Sequence, residues 1–120
     1  MDDIGYVLFE SNVGEKTGWF ACQVPSDQLI EKEFFHAYSY DAKRKLQWTW
    51  DLAYPDDAWE MKMPFSFSGT EGGPITYTAE NAEFPAVIGV YTSKGSDGLS
   101  YIRRLTLDVF NDMKANGAFN

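Results

Sequence analysis

Residues 45–67, KLQWTWDLAYPDDAWEMKMPFSF, constrain the fold more than any other stretch of the chain. Leu46, Trp48, Trp50 and Leu52 share one side of a period-two pattern, with Gln47, Thr49 and Asp51 on the other. Trp59, Met61, Met63, Phe65 and Phe67 repeat that pattern beyond the loop at residues 53–58. A helix would scatter these side chains around its axis, whereas a strand puts every second one on the same face, so the stretch reads as two strands joined by a hairpin. The tryptophan-bearing side is expected to be the core face of the sheet. Pro64 has no amide to donate and sets the second strand at an edge or a bulge.

The rest of the chain supplies further strands and two helical stretches. Residues 4–10 (IGYVLFE) and 17–24 (TGWFACQV) are rich in strand formers and flank the turn-forming residues 11–16, which suggests a hairpin. Pro25, Ser26 and Asp27 then start a short helix with Ser26 as its N-cap. In residues 34–41 (FFHAYSYD), Phe34, His36, Tyr38 and Tyr40 alternate with Phe35, Ala37 and Ser39, which favours a strand, followed by a polar hairpin loop. Residues 68–74 (SGTEGGP) form a turn, 75–79 a strand, and the apolar run 86–92 (AVIGVYT) a central strand. After a polar loop at 93–98, Ile102, Leu105, Val109 and Met113 recur every three or four residues and predict an amphipathic helix that Asn116 and Gly117 end.

The expected class is therefore α+β. It comprises a mainly antiparallel sheet of about seven strands, bent or closed into a partly open barrel, a C-terminal amphipathic helix packed on it, and a short helical turn after the second strand. The order of elements resembles that of pleckstrin-homology-like domains, a resemblance of architecture only; an open sheet with the helix across one face is the competing arrangement.

A chain of 120 residues has room for one domain, and 44% hydrophobic with 23% charged residues is the composition of a folded protein. Cys22 is the only cysteine and His36 the only histidine. No intrachain disulfide can form, a reducing compartment is the natural home, and a zinc or iron site lacks its further nitrogen or sulfur ligands. No basic leader precedes an apolar core and no apolar run is long enough to span a membrane, which suggests a cytoplasmic protein, or one within a viral particle, rather than a secreted one. The net charge of −8 argues against nucleic-acid and anionic-membrane binding and points to basic protein partners. Six of the eight excess negative charges lie between Asp51 and Glu83, while bases gather at Lys43, Arg44 and Lys45 and at Arg103 and Arg104.

No catalytic, metal or cofactor motif stands out. His36 has no accompanying nucleophile elbow, the acidic residues lack the spacing of a calcium loop, and residues 93–98 match neither phosphate-loop pattern. The residues expected to act are Asp51, Tyr54, Asp56, Asp57, Trp59 and Glu60: carboxylates beside aromatic anchors, the ingredients of an electrostatically steered protein interface. The leading expectation is a non-catalytic acidic interaction protein, an inhibitor or immunity-like factor that occludes a basic nuclease or nucleic-acid-binding surface. The alternatives are a structural or adaptor subunit of a viral particle or multiprotein complex, and a small-molecule binder or enzyme whose pocket is lined by Trp48, Trp50 and Trp59.

Overall fold

The computed structural model describes residues 4–11, 13–65, 67 and 71–119. In chain order the elements are α1 (Gly14–Thr17), β1 (Ala21–Cys22), α2 (Asp27–Lys32), β2 (Phe34–Tyr40), β3 (Leu46–Leu52), β4 (Tyr54–Pro55), β5 (Glu60–Met63), β6 (Pro74–Tyr77), β7 (Ala86–Lys94), β8 (Ser100–Arg104) and α3 (Leu107–Ala115). The sheet order is β3-β2-β6-β7-β8-β5-β4, with every pairing along it antiparallel. β1 adds a short parallel pairing against the start of β7. The class is α+β, as expected.

One covalent fact shapes this sheet. β3 and β4 stand at opposite ends of the strand order, yet Ala53 alone separates them in the chain. Successive Cα atoms are 3.8 Å apart, so Leu52 and Tyr54 lie within about 7 Å of each other. The sheet therefore curls until its ends meet, with β3 and β4 acting as one strand bent at the buried Ala53. Register shifts at Ile75/Thr76 and at Tyr91/Ser93 supply local bends. Gly89 lets β7 approach β8 closely, since a Cβ there would lie 2.7 Å from the Arg103 carbonyl oxygen and 2.9 Å from Ile102 Cγ2. At Gly73 a Cβ would collide with the Tyr38 carbonyl of β2.

A tightly curled sheet has little interior volume, because barrel diameter grows with strand number. The buried cluster accordingly holds Ile30, Phe35, Ala37, Ala53, Met61, Met63, Ile75, Ile88, Tyr91 and Ile102, joined by Phe65 and Phe67. Buried Ser100 donates from Oγ to the Phe65 carbonyl at 2.6 Å, which satisfies its hydroxyl. The two bulky tryptophans of β3 are not in this interior. Trp48 and Trp50 are 54% and 53% exposed, Leu46 and Leu52 are exposed with them, and Gln47, Thr49 and Asp51 are half-buried on the inward side. The expected core face of β3 is thus its outer face. Its partner strand settles the matter: β2 buries Phe35, Ala37 and Ser39, and the register aligns its outward residues with those of β3.

Other expectations shift as well. Residues 4–10 form no strand; Tyr6 instead donates its hydroxyl to Asp112 Oδ2 of α3 at 2.6 Å and accepts from Asn116 Nδ2 at 3.0 Å. The hydrogen bond to Asp112, with some desolvation and the charge of that carboxylate, holds the Tyr6 hydroxyl above its ordinary pKa. The second predicted strand shrinks to Ala21–Cys22. Ser26 caps α2 as expected, accepting from the Leu29 amide at 3.1 Å. The C-terminal helix starts later than its apolar spacing implied: residues 100–104 pair with β5 and β7, and Thr106 caps α3 by accepting from the Val109 amide. No residue of α3 is fully buried. β5 stops before Pro64 and is paired on both sides, so the proline ends the strand rather than marking an edge.

Gly89→Ala is expected to lower the unfolding free energy by about 2 kcal/mol or more. Gly5→Ala, at a site with nothing within 4 Å, should change it by under about 0.5 kcal/mol. Equal urea midpoints for the two variants would contradict the close β7–β8 approach.

Candidate interaction surfaces

The acidic residues expected to form one site divide between two places. Asp56, Asp57, Trp59 and Glu60 gather at the β4–β5 hairpin, with Tyr54 on β4 leading into it. Asp51 stands on β3 before the Ala53 bend, on the inward side, and its Oδ1 accepts from the adjacent Leu52 amide at 2.8 Å.

The hairpin is built by its own carboxylates. Asp57 Oδ1 accepts from the amides of Trp59 at 2.7 Å and Glu60 at 2.8 Å, and the amides of Asp56 and Asp57 both donate to the Glu60 carbonyl. This is the local side-chain capping that makes aspartate a turn residue. Asp56 pairs with Lys62 Nζ at 3.6 Å across the strands. Desolvation, with Asp56 and Asp57 close by, holds the Glu60 carboxyl above the usual carboxylate range, against the opposing pull of Lys62.

Two buried arginines anchor the hairpin from beneath. Arg103 and Arg104, expected on a solvated helical face, lie on β8 and are 6% exposed. Arg104 Nη1 donates to the Asp57 carbonyl at 2.7 Å and pairs with Asp27 at 2.8 Å, while its Nη2 reaches the Pro25 carbonyl. Arg103 Nη1 donates to the Trp59 carbonyl at 2.9 Å, and its guanidinium lies 5.7 Å from the centre of the Trp59 ring. Tyr54 and Trp59 remain about half exposed above this support, at 55% and 51%.

The second surface is the outer face of the β2–β3 ladder. Its register sets Phe34 opposite Leu52, His36 opposite Trp50, Tyr38 opposite Trp48 and Tyr40 opposite Leu46. Trp48 Nε1 donates to His36 Nδ1 at 3.1 Å, with the two ring planes 18° apart and their centres separated by 5.8 Å. An indole N–H and an imidazole lone pair both lie in their ring planes, so at this angle the rings meet edge to edge as one plate. In accepting this bond, His36 Nδ1 turns its lone pair to the indole N–H. The Tyr38 and Trp50 rings run within 15° and 17° of the His36 plane, and Phe34 packs on Trp50 with ring centres 4.8 Å apart. Sequence reasoning missed this face. The available signal was that β2 offers small Ala37 and Ser39 on one side and four rings on the other.

A cleft of about 570 Å³ lies at one end of the ladder, lined by Phe20, Tyr38, Tyr40, Leu46 and the turn at residues 71–74. A shallower one of about 260 Å³ lies between Trp59, Arg104 and the start of α3. Cys22 is half-buried, which pushes its thiol pKa up and makes it a poor nucleophile. Among the described residues no group of three or more His, Cys, Asp or Glu side chains is placed to hold a metal ion. No helix among them is long and apolar enough to cross a membrane.

No family model matches the chain, and no curated protein does. Among solved structures it is similar to a Glu endopeptidase determined in complex with MPD, with a TM-score of 0.69 and 14% identity. The match covers 91% of this chain and 52% of the other, so the chain spans about half of that protein's length. The likeness is one of fold, and fold alone does not carry an activity.

Asp57→Ala is expected to destabilise the protein by about 1–2 kcal/mol, because two hairpin amides lose their acceptor. Asp57→Asn keeps an acceptor oxygen and should retain most of the stability. Equal losses for the two variants, by chemical denaturation, would show that the turn does not depend on these bonds.

Proposed function

We propose that this chain is a non-catalytic protein-interaction module whose principal contact surface is the aromatic outer face of β2 and β3. The observation that carries the reading is the exposure of Phe34, Tyr40, Leu46, Trp48, Trp50 and Leu52 side by side on one regular ladder. Ordinary surfaces expose apolar residues singly; a contiguous patch of aromatics is the composition of an interface core. The patch is also pre-ordered, since ring contacts and the Trp48–His36 bond fix its side chains before any partner arrives, which lowers the entropic cost of binding.

A second reading is favoured by a separate observation. Tyr54 and Trp59 stand half exposed beside Asp56, Asp57 and Glu60 on a hairpin held by two buried arginines. That arrangement suits an acidic inhibitor or immunity-like protein that covers a basic surface on a nuclease or similar partner, in a reducing, cytoplasmic setting that a single cysteine fits. The likeness to an endopeptidase lends little to a hydrolytic reading, because the sole imidazole is engaged with Trp48 on the outer face rather than poised beside a nucleophile.

Affinity capture from the native host, with wild-type protein and a Trp48→Glu/Trp50→Glu variant as baits, separates the readings. Both residues are exposed, so the variant should keep the wild-type circular dichroism spectrum. It should weaken capture of the partner by at least about tenfold. Undiminished capture by this variant, together with loss on Asp56→Lys/Glu60→Lys and at high salt, would move the function to the acidic hairpin.

A further inference from the structure

The aromatic face and the acidic hairpin lie on one continuous run of chain, and that run has opposite charge at its two ends. At the start, the turn preceding β3 exposes Lys43, Arg44 and Lys45, with Asp41 occupied in accepting from the Lys43 and Lys45 amides at 2.8 and 2.9 Å. At the end, beyond the Ala53 bend, stand Asp56, Asp57 and Glu60 against Lys62. Glu31 and Glu33, against Lys32, are exposed just before Phe34, at the same end of the ladder. Between these poles the outward side chains are apolar without interruption: Leu46, Trp48, Trp50, Leu52 and Tyr54 are all exposed.

A surface of this kind is complementary to itself. We propose that the β2–β3 face is the interface of an isologous dimer, with a twofold axis near the centre of the ladder. The axis reverses strand direction, so the basic turn of each copy meets the acidic hairpin of the other while the aromatic faces pack together. A parallel arrangement would set like poles against each other and is disfavoured by the same charges. Area supports the assignment: at their fractional exposures, Phe34, Tyr40, Trp48 and Trp50 present roughly 400 Å² per copy. With the leucines, Tyr38, His36 and the charged ends added, two facing copies reach the roughly 1,000 Å² that a specific interface needs. Beyond the Lys62 contact to Asp56, the basic surface that meets the acidic hairpin is, on this account, the 41–45 turn of a second copy. The inference rests on the reading of this face as a contact surface and names its occupant.

Sedimentation over a graded concentration series tests it. The wild-type mass should approach twice 13.6 kDa. Trp48→Glu should shift the protein to monomer with an unchanged circular dichroism spectrum. Lys43→Glu/Lys45→Glu and Asp56→Lys/Glu60→Lys should each raise the dissociation constant by at least about tenfold. Mixing these two charge-reversed variants restores opposite charges at both ends of a mixed dimer and should recover association. A wild-type protein that stays at 13.6 kDa throughout overturns the dimer. So does a dimer indifferent to Trp48→Glu, or a mixture no tighter than its components. A monomeric wild type that still captures a host protein, and loses it with Trp48→Glu/Trp50→Glu, overturns the dimer while leaving the interaction reading intact.

Discussion

Leu52 and Tyr54 belong to opposite ends of one sheet, and Ala53 is the entire connection between them. That short link leaves the sheet no option but to curl back on itself, and the curling decides what the interior can hold. A narrow interior admits Phe35, Ala37, Met61, Met63 and four isoleucines, while rings the size of Trp48 and Trp50 stay outside. Close approaches at Gly73 and Gly89 show how little space lies between neighbouring strands. The proposed contact surface is in this sense a consequence of closure, because the alternating face that does not fit inside is left exposed.

The same closure explains what holds the acidic hairpin in place. Once β5 pairs with both β4 and β8, the two arginines at the end of β8 lie beneath the hairpin, and their guanidinium groups meet the carbonyls of Asp57 and Trp59. Arg104 also reaches Pro25 and Asp27 at the start of α2, tying the front of the chain to the hairpin. Carboxylates that look free in the sequence are partly committed to building the turn: Asp57 caps two amides and Asp56 faces Lys62. What remains exposed is two half-exposed rings beside acidic groups, continuous with the outward face of β3.

Much of the architecture was legible in the sequence, and the exceptions have physical causes. The period of two in residues 34–40 and 46–52 identified both strands and their hairpin, and the apolar run at 86–92 marked the strand that pairs most widely. Alternation defines two faces without saying which is inside; for β3 that choice depends on interior volume and on the register with β2, neither of which is local. Ile102 and Leu105 suggested helix because a short buried strand followed directly by a helix gives the same apolar spacing as one longer helix. The burial of Arg103 and Arg104 depends on carbonyl groups contributed by residues 57 and 59, far away in the chain. The residues of the acidic hairpin were identifiable from composition, whereas the aromatic face required the register to be known.

Closure at Ala53 leaves Trp48 and Trp50 outside and Met61, Ile75, Ile88 and Ile102 inside. Nuclear Overhauser contacts in solution distinguish this arrangement from its inverse. Cross-strand backbone contacts are expected between Phe34 and Leu52 and between Tyr54 and Lys62 in the same molecule, with the isoleucine methyls touching Phe35 and the Met61 and Met63 side chains. Contacts from the Trp48 and Trp50 indoles to the methyls of Ile75 or Ile88, with no contact between Tyr54 and Lys62, would contradict it.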